Sequence, residues 1–280
     1  MEYILMTVAF ATAFYLYSNY TFTVKNLEVQ SERFPKEFHG FKIAHLSDLH
    51  NTFYGKRNEK LIEAVRRISP DVIFYTGDMI DKTTLEESSL LRLLEPLAKE
   101  FPAYYIPGNH EDDLNPSEKE KLIRKLKELD VSYLENERSS IVRNGQELQV
   151  YGLHLPRRYL RNTYDKNGRL QLSADKISRC VGSPGEDFSI LLAHNPLYFK
   201  AYAEYGADLT LSGHVHGGLV RLPIIGGLLS PDRVLNPAYD KGLYDHEGHQ
   251  IIVSPGLGGV RLRFFNRPVI YAVTLRKTES

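Results

Sequence analysis

Phe41-Lys42-Ile43-Ala44-His45-Leu46-Ser47-Asp48-Leu49-His50 is the stretch on which the fold turns. Its first six residues, Phe41 to Leu46, are a short apolar run of strand length, and they break into a polar turn carrying Asp48 and His50. The same arrangement recurs downstream. Val72 to Tyr75 leads into Gly77-Asp78-Met79-Ile80-Asp81, and Ala103 to Ile106 leads into Gly108-Asn109-His110-Glu111. Ser189 to Ala193 leads into His194-Asn195, and Leu209 to Ser212 into Gly213-His214-Val215-His216. Helical patterns separate the first strands. Asn58 to Ile68 places Leu61, Ile62, Val65 and Ile68 on one face behind Asn58 as a cap. Leu85 to Lys99 reads as a second helix interrupted by Pro96, and the capping box Ser117-Glu118-Lys119-Glu120 opens a third that runs to about Leu129. Strands alternating with helices predict an α/β fold with a parallel βαβ core. The later strands, Leu148 to Leu153, Gln250 to Val253 and Val269 to Leu275, predict a second sheet packed on the first. Ligands bind outside the carboxyl ends of such strands, so folding is expected to gather all five polar clusters in one place.

Composition narrows the function classes. The 280 residues carry 35 Lys plus Arg and 35 Asp plus Glu, a zero formal charge that gives no electrostatic reason to expect nucleic acid as a partner. Apolar residues at 42% and charged residues at 25% mark a globular chain with a sizeable core. The single cysteine, Cys180, excludes an internal disulfide framework and a thiolate-built zinc site. It reads as a structural residue at the end of a helix-like stretch.

Half of the ten histidines fall inside the five clusters. Asp, Asn and His together offer oxygen and imidazole nitrogen without sulfur, a donor set for Mn, Fe, Zn or Mg. Asp48 and His50 share one side of an extended segment, and His214 and His216 repeat that spacing. Gly77, Gly108 and Gly213 permit tight backbone turns where ions approach closely. Asp48, His50, Asp78, Asn109, His194, His214 and His216 are too many donors for one tetrahedral ion and suit two ions that share a ligand.

The ordered set D-x-H, G-D, G-N-H-E, a lone H and G-H-x-H resembles the calcineurin-like metallophosphoesterases over Asp48 to His216. The resemblance implies a four-layer α/β/β/α sandwich, a metal-dependent hydrolase and a two-metal centre. Carried over by position, Asp48, His50 and His216 would hold the first ion, Asn109, His194 and His214 the second, and Asp78 would bridge them. The family favours Mn²⁺, with Fe, Zn or Mg compatible. Two divalent ions with two carboxylates leave about +2 to attract a phosphate, and a bridging hydroxide becomes the nucleophile. His110 would protonate the leaving oxygen or stabilise the phosphoryl charge, with Asp81 orienting it; Asp81 reads equally as a turn cap.

Tyr3 to Tyr17 is an uncharged, mostly apolar run, and the aromatic residues Tyr15, Tyr17 and Tyr20 sit where a chain would leave hydrocarbon. A single-pass transmembrane anchor over residues 1–20, placing the protein at the cell membrane, is the expectation. A cleaved signal peptide ending near Ala11-Thr12-Ala13 lacks a basic leader, and a buried helix or strand is the third reading. Residues 21–40 would be a linker or first strand, and 41–280 the catalytic domain. The leading segment and the tail after His216 resemble a bacterial membrane-anchored branch that includes UDP-2,3-diacylglucosamine diphosphatases of lipid A biosynthesis. A phosphodiester or pyrophosphate of a lipid-linked substrate is therefore the expected target. Arg157, Arg158 and Arg161 are candidates to hold its phosphates, with Arg221 in the apolar stretch Gly218 to Ser230 as a wall for acyl chains. Surface-loop and buried-hairpin readings compete for those two segments. Alternatives for the whole chain are a broad phosphomonoesterase or nucleotide phosphodiesterase, and a non-catalytic membrane-anchored scaffold. Gly256-Leu257-Gly258-Gly259 lacks the Lys and Ser/Thr of a phosphate-binding loop and reads as a turn.

Overall fold

A computed structural model describes residues 1–161, 164–165, 168–218, 220–222, 226–229, 237–260, 263 and 265–278. The chain runs through α1 (Glu2–Tyr20), β1 (Thr23–Ser31), β2 (Lys42–Leu46), α2 (Glu59–Ile68), β3 (Val72–Thr76), α3 (Ser89–Leu97), β4 (Ala103–Ile106), α4 (Pro116–Glu128) and β5 (Val131–Tyr133). A hairpin of β6 (Glu137–Arg143) and β7 (Gln146–Leu153) opens the second half. There follow the one-turn α5 (Arg157–Leu160), a small hairpin of β8 (Tyr164–Asp165) and β9 (Gly168–Arg169), α6 (Ala174–Val181), β10 (Ser189–Ala193), α7 (Phe199–Tyr205) and β11 (Leu209–Ser212). β12 (Val220–Leu222) pairs with β13 (Gly226–Leu229), and β14 (Gly242–His246), β15 (His249–Val253) and β16 (Val269–Lys277) complete the order.

Two six-stranded mixed sheets result, ordered β1-β16-β2-β3-β4-β5 and β14-β15-β11-β10-β7-β6. Alternation along the strands decides the layering, because successive side chains point to opposite faces. Ile43, Val72 and Phe74 face Ile190, Leu192, Leu209 and Leu211 across an inner apolar layer. Their neighbours Ala44, Ile73 and Tyr75 face outward onto the apolar stripes of α2, α3 and α4. On the other side, Leu191 and Ala193 meet Ile177, Phe199 and Tyr202 of α6 and α7. The arrangement is helix, sheet, sheet, helix.

Several local expectations change. Asn58 is the N-cap residue of α2, but its side chain does not bond the helix: it is left-handed at φ 61°, and the side chain accepts from Tyr54 N and donates to Ser89. The cap of α4 is Asn115, which accepts from Glu118 N, with Pro116 in the first turn. The 85–99 helix divides into a short 3-10 turn at Leu85–Glu87 and α3, which Ser88 caps by accepting from Leu91 N.

The expected membrane anchor is overturned. No helix among the described residues is long and apolar enough to cross a membrane. α1 spans 19 residues, and Thr7, Thr12, Ser18, Asn19 and its tyrosines dilute the apolar run, whereas crossing takes about 20 predominantly apolar residues. The end of α1 is instead tied to the domain. Arg267 donates to the Tyr17 hydroxyl at 2.7 Å and to Thr21 Oγ1 at 3.0 Å, and Phe14 meets Phe265 edge to face. β1 then runs parallel to β16, with Thr23 opposite Val269, and β16 runs antiparallel to β2, with Tyr271 opposite His45. α1 therefore leaves the sheet at the end where β2 delivers Asp48 and His50. Ile4, Leu5, Met6, Val8, Phe10 and Leu16 of this helix are exposed.

Candidate metal centre

The five polar tips meet at that end of the two sheets. Asp48, His50, Asp78, His214 and His216 all adopt left-handed backbone, with φ between 45° and 71°. Side chains other than glycine seldom sit there, and each such residue costs on the order of 1–3 kcal/mol unless its surroundings enforce it. The enforcement is visible: Asp48 N donates to Gly77 O at 3.0 Å, His50 N to Asp78 O at 3.2 Å, and Gly213 N to His194 O at 3.0 Å. Turning the chain this way aims consecutive donors into one space.

Asp48, His50 and His216 form one group whose donor atoms lie within reach of a single ion, and Asp78, His194 and His214 form another. Asp48 Oδ1 is 3.9 Å from His50 Nε2 and 3.8 Å from His216 Nε2. Asp78 Oδ2 faces both groups, 3.7 Å from His50 Nε2 and 3.2 Å from His194 Nε2. Ligand atoms bonded at about 2.1 Å to one cation stand roughly 3–3.5 Å apart, close to these spacings. His50 Nε2 and His194 Nε2 are buried without a hydrogen-bond partner. A buried polar atom left unpaired is expensive, and a cation is the partner these nitrogens and carboxylates share. The residues fit a pair of divalent ions.

The charge balance agrees. Burial alone would raise the Asp78 carboxyl, but His194, His50 and His110 hold it well below the usual carboxylate range. Burial lowers His194, and the Asp78 carboxylate overcomes this and pushes it up to about 10. His50 and His216 are lowered chiefly by burial, which keeps their imidazoles neutral and able to donate a lone pair. The His194 Nδ1 donates to Thr76 O at 2.7 Å and leaves Nε2 directed at Asp78.

Asn109 lies beside the second group. Its side-chain amide lies between two partners, with one end 3.0 Å from His214 Nδ1 and the other 3.0 and 3.2 Å from Arg161 Nη2 and Nε. His110, adjacent in sequence, donates its backbone N–H to Asp78 Oδ1 at 2.8 Å. Its ring lies with Nδ1 3.1 Å from Asp81 Oδ1 and Nε2 3.9 Å from Asp78 Oδ2, about a quarter exposed. Burial resists ionisation of Asp81, while the Lys82 N–H and His110 bring its carboxyl below the ordinary value.

The four candidate arginines fare differently. Arg161 reaches Asn109, and Arg157 joins it on Asp113. Arg158 is exposed and stacks on Tyr159, 5.3 Å from the ring centroid. Arg221 is held away by Asp240 Oδ2 at 2.5 Å and Gly217 O. Of the apolar stretch Gly218 to Ser230, residues 219, 223–225 and 230 lie outside the described residues.

Two contributors had no role in the sequence reading. Glu111 is fully buried and accepts from Asp78 N (2.9 Å), Met79 N (2.8 Å), Gly108 N (2.8 Å) and Tyr105 OH (2.6 Å), so one carboxylate locks the tips of β3 and β4 together. The second is the turn Gly256–Gly259, which closes behind the first group. Leu257 N donates to Ser47 O at 3.0 Å and Gly258 N to Asp48 O at 2.6 Å. Arg263 is buried and tethers this turn by donating to Pro255 O and Gly258 O. Gly259 has φ +79°, and a Cβ there would stand 2.5 Å from His50 Cδ2 and 2.7 Å from His216 Cε1. The run of glycines was the available signal for this close approach; Glu111 was visible only as the last letter of G-N-H-E.

With this geometry in place, comparison with known proteins identifies the class. Residues 41–218 match the calcineurin-like phosphoesterase family, and the chain belongs to it: it is a metal-dependent phosphoester hydrolase. It is 29% identical over 256 residues to the "Uncharacterized metallophosphoesterase YkuE" of Bacillus subtilis (strain 168), covering 89% of this chain and 84% of that one. It is 25% identical over 243 residues to the "Phosphodiesterase YaeI" of Escherichia coli (strain K12), covering 84% of this chain and 82% of that one. The solved phosphopantetheinyl hydrolase of Mycobacterium tuberculosis superposes with a TM-score of 0.48 at 15% identity, over 77% of this chain and 89% of that one.

Proposed function

We propose that the protein hydrolyses a phosphodiester or pyrophosphate bond in a lipid-linked substrate, such as UDP-2,3-diacylglucosamine, with two Mn²⁺ ions as cofactor. The observation that carries the hydrolytic part is Asp78, whose carboxylate faces two separate histidine groups. Asp48, His50 and His216 would hold one ion, Asn109, His194 and His214 the other, and Asp78 both. When bound, the ions supply Lewis-acid polarisation of the phosphoryl group and an activated water. The chain's own residues supply the rest. Asp81 orients the His110 ring through Nδ1, and His110 Nε2, on the open side of the centre, delivers a proton to the leaving oxygen. Glu111 keeps Asp78 and Asn109 at a fixed separation by holding the two turns that bear them.

The lipid-linked part rests on α1. Its exposed apolar side chains emerge at the end of the sheet that carries the metal donors, beside a site that accepts the polar part of a substrate. The test is a panel of UDP-2,3-diacylglucosamine, undecaprenyl pyrophosphate and soluble nucleotides with added Mn²⁺. Preferential turnover of a lipid-bearing substrate, abolished by chelation, is expected. Equal turnover of nucleotides would replace the lipid reading with a broad phosphodiesterase, and no hydrolysis of even bis-p-nitrophenyl phosphate would leave a scaffold.

A further inference from the structure

A polar pair sits in the layer between the two sheets, which is built mainly of apolar side chains. His45 lies on β2 and Thr76 ends β3; both are fully buried, and His45 Nε2 is 2.8 Å from Thr76 Oγ1. Ile43, Phe74, Leu211 and Tyr271 belong to that layer, and the His45 ring lies nearly parallel to the Tyr271 ring, 6.4 Å between centroids. Burial pushes His45 down to about 3, so its imidazole is neutral, and its Nδ1 has no hydrogen-bond partner. Apolar replacements of both partners would remove the unpaired nitrogen and could be nearly neutral for stability. The pair is therefore poorly explained by packing. What it touches is the backbone at the tip of β3. Thr76 O accepts from His194 Nδ1 at 2.7 Å and from Ser47 Oγ at 3.3 Å, and the next carbonyl, of Gly77, accepts from Asp48 N at 3.0 Å.

We propose that His45 and Thr76 are positioning residues for His194: their hydrogen bond fixes the Thr76 carbonyl, and the carbonyl fixes the angle at which the His194 ring presents Nε2 to the second ion. The proposal rests on the assignment of His194 to that ion and not on the identity of the substrate. The sheet ladder does not do this work on the β2 side. Pairing of β2 with β3 ends at Leu46 opposite Tyr75, and Gly77 follows with φ +87°, so Thr76 stands where the strand turns away. His45 holds its hydroxyl there and Ser47 its carbonyl. A histidine ring rotates about its single bonds, and the acceptor at Nδ1 decides where Nε2 points. With Nδ1 on Thr76 O, Nε2 stands 3.2 Å from Asp78 Oδ2. His45 thus acts on a donor from the other sheet without approaching the ions itself.

Mn²⁺ uptake by the full chain is the probe, followed by equilibrium dialysis and electron paramagnetic resonance without substrate, with thermal unfolding of the metal-free protein measured alongside. Thr76→Val and His45→Phe each leave one buried polar group without its partner, so each should lower the melting temperature. The double variant replaces both groups and should regain much of that loss. Metal affinity should behave otherwise. All three variants should bind one ion as the wild type does and the second about 10–100-fold more weakly, the usual weight of an outer partner of a metal-bound histidine. Thr76→Ser keeps the hydroxyl and should bind both ions normally. A double variant that regains second-ion affinity together with stability would overturn the proposal, because the bond would then serve packing alone. Unchanged second-ion affinity in Thr76→Val, equal weakening of both ions, or a Thr76→Ser variant as impaired as Thr76→Val would overturn it as well. Wild-type protein that takes up no Mn²⁺ would overturn the metal-centre assignment and this proposal together. Because no substrate is present, failure of the lipid-linked reading leaves these outcomes untouched.

Discussion

Asp78 does several things with one carboxylate: Oδ1 accepts from the backbone of His110, and Oδ2 looks toward both histidine groups. Asp78→Asn removes the charge that both groups need, and elemental analysis should find neither ion retained; full two-ion occupancy would contradict the bridge. His110→Asn is expected to keep both ions while lowering turnover on the order of 10²–10⁴-fold, the usual weight of a general acid. Unchanged kcat on bis-p-nitrophenyl phosphate would remove His110 from the chemistry. At this scale the seven residues that the fold gathers stood out in the sequence because Asp, Asn and His advertise their chemistry by type. Glu111 was not, because a carboxylate that accepts three backbone N–H groups has no spacing of its own in the sequence.

Among the elements, the strands that end in donors were readable from an apolar run breaking into a polar turn. The β6–β7 hairpin carries a signal of the same quality, Asn144-Gly145, and both residues are left-handed at φ 50° and 80° as a tight hairpin turn requires. The helix ends were harder: Asn115 wins the cap of α4 over Ser117 because Pro116 is favourable in the first turn and cannot donate there anyway. The turn at Gly256–Gly259 defines its own test. Gly259→Ala forces a Cβ against His50 and His216 in backbone that alanine avoids, so Mn²⁺ stoichiometry should fall from two to one as the first group is displaced. Retention of both ions at wild-type affinity would show that the turn yields without moving the histidines.

For the whole molecule, two sheets between two helical layers follow from strands apolar on both faces, which need cover on each side. The amino-terminal run was misjudged because hydropathy does not register Arg267, which binds Tyr17 and Thr21 and makes the end of α1 part of the domain. Replacing Ile4, Phe10 and Leu16 together by Ser tests what that helix serves. Hydrolysis of bis-p-nitrophenyl phosphate should be unchanged, while kcat/KM for a lipid-linked substrate should drop at least about tenfold, as expected if even one such side chain is covered by an acyl chain. A parallel fall on both substrates would point to damage to the fold instead.

The placement of β16 between β1 and β2 also sets a schedule for biosynthesis. Asp48 and His50 are translated early, yet the strand beside β2 and the glycine turn behind Asp48 emerge from the ribosome more than 200 residues later. Until then the nascent chain carries an unpaired edge along β2 and half of a cation trap with no back wall. Metal loading thus becomes a late event in maturation, and a polypeptide halted before residue 256 would be left with an open sheet and without the enclosure around its first ion.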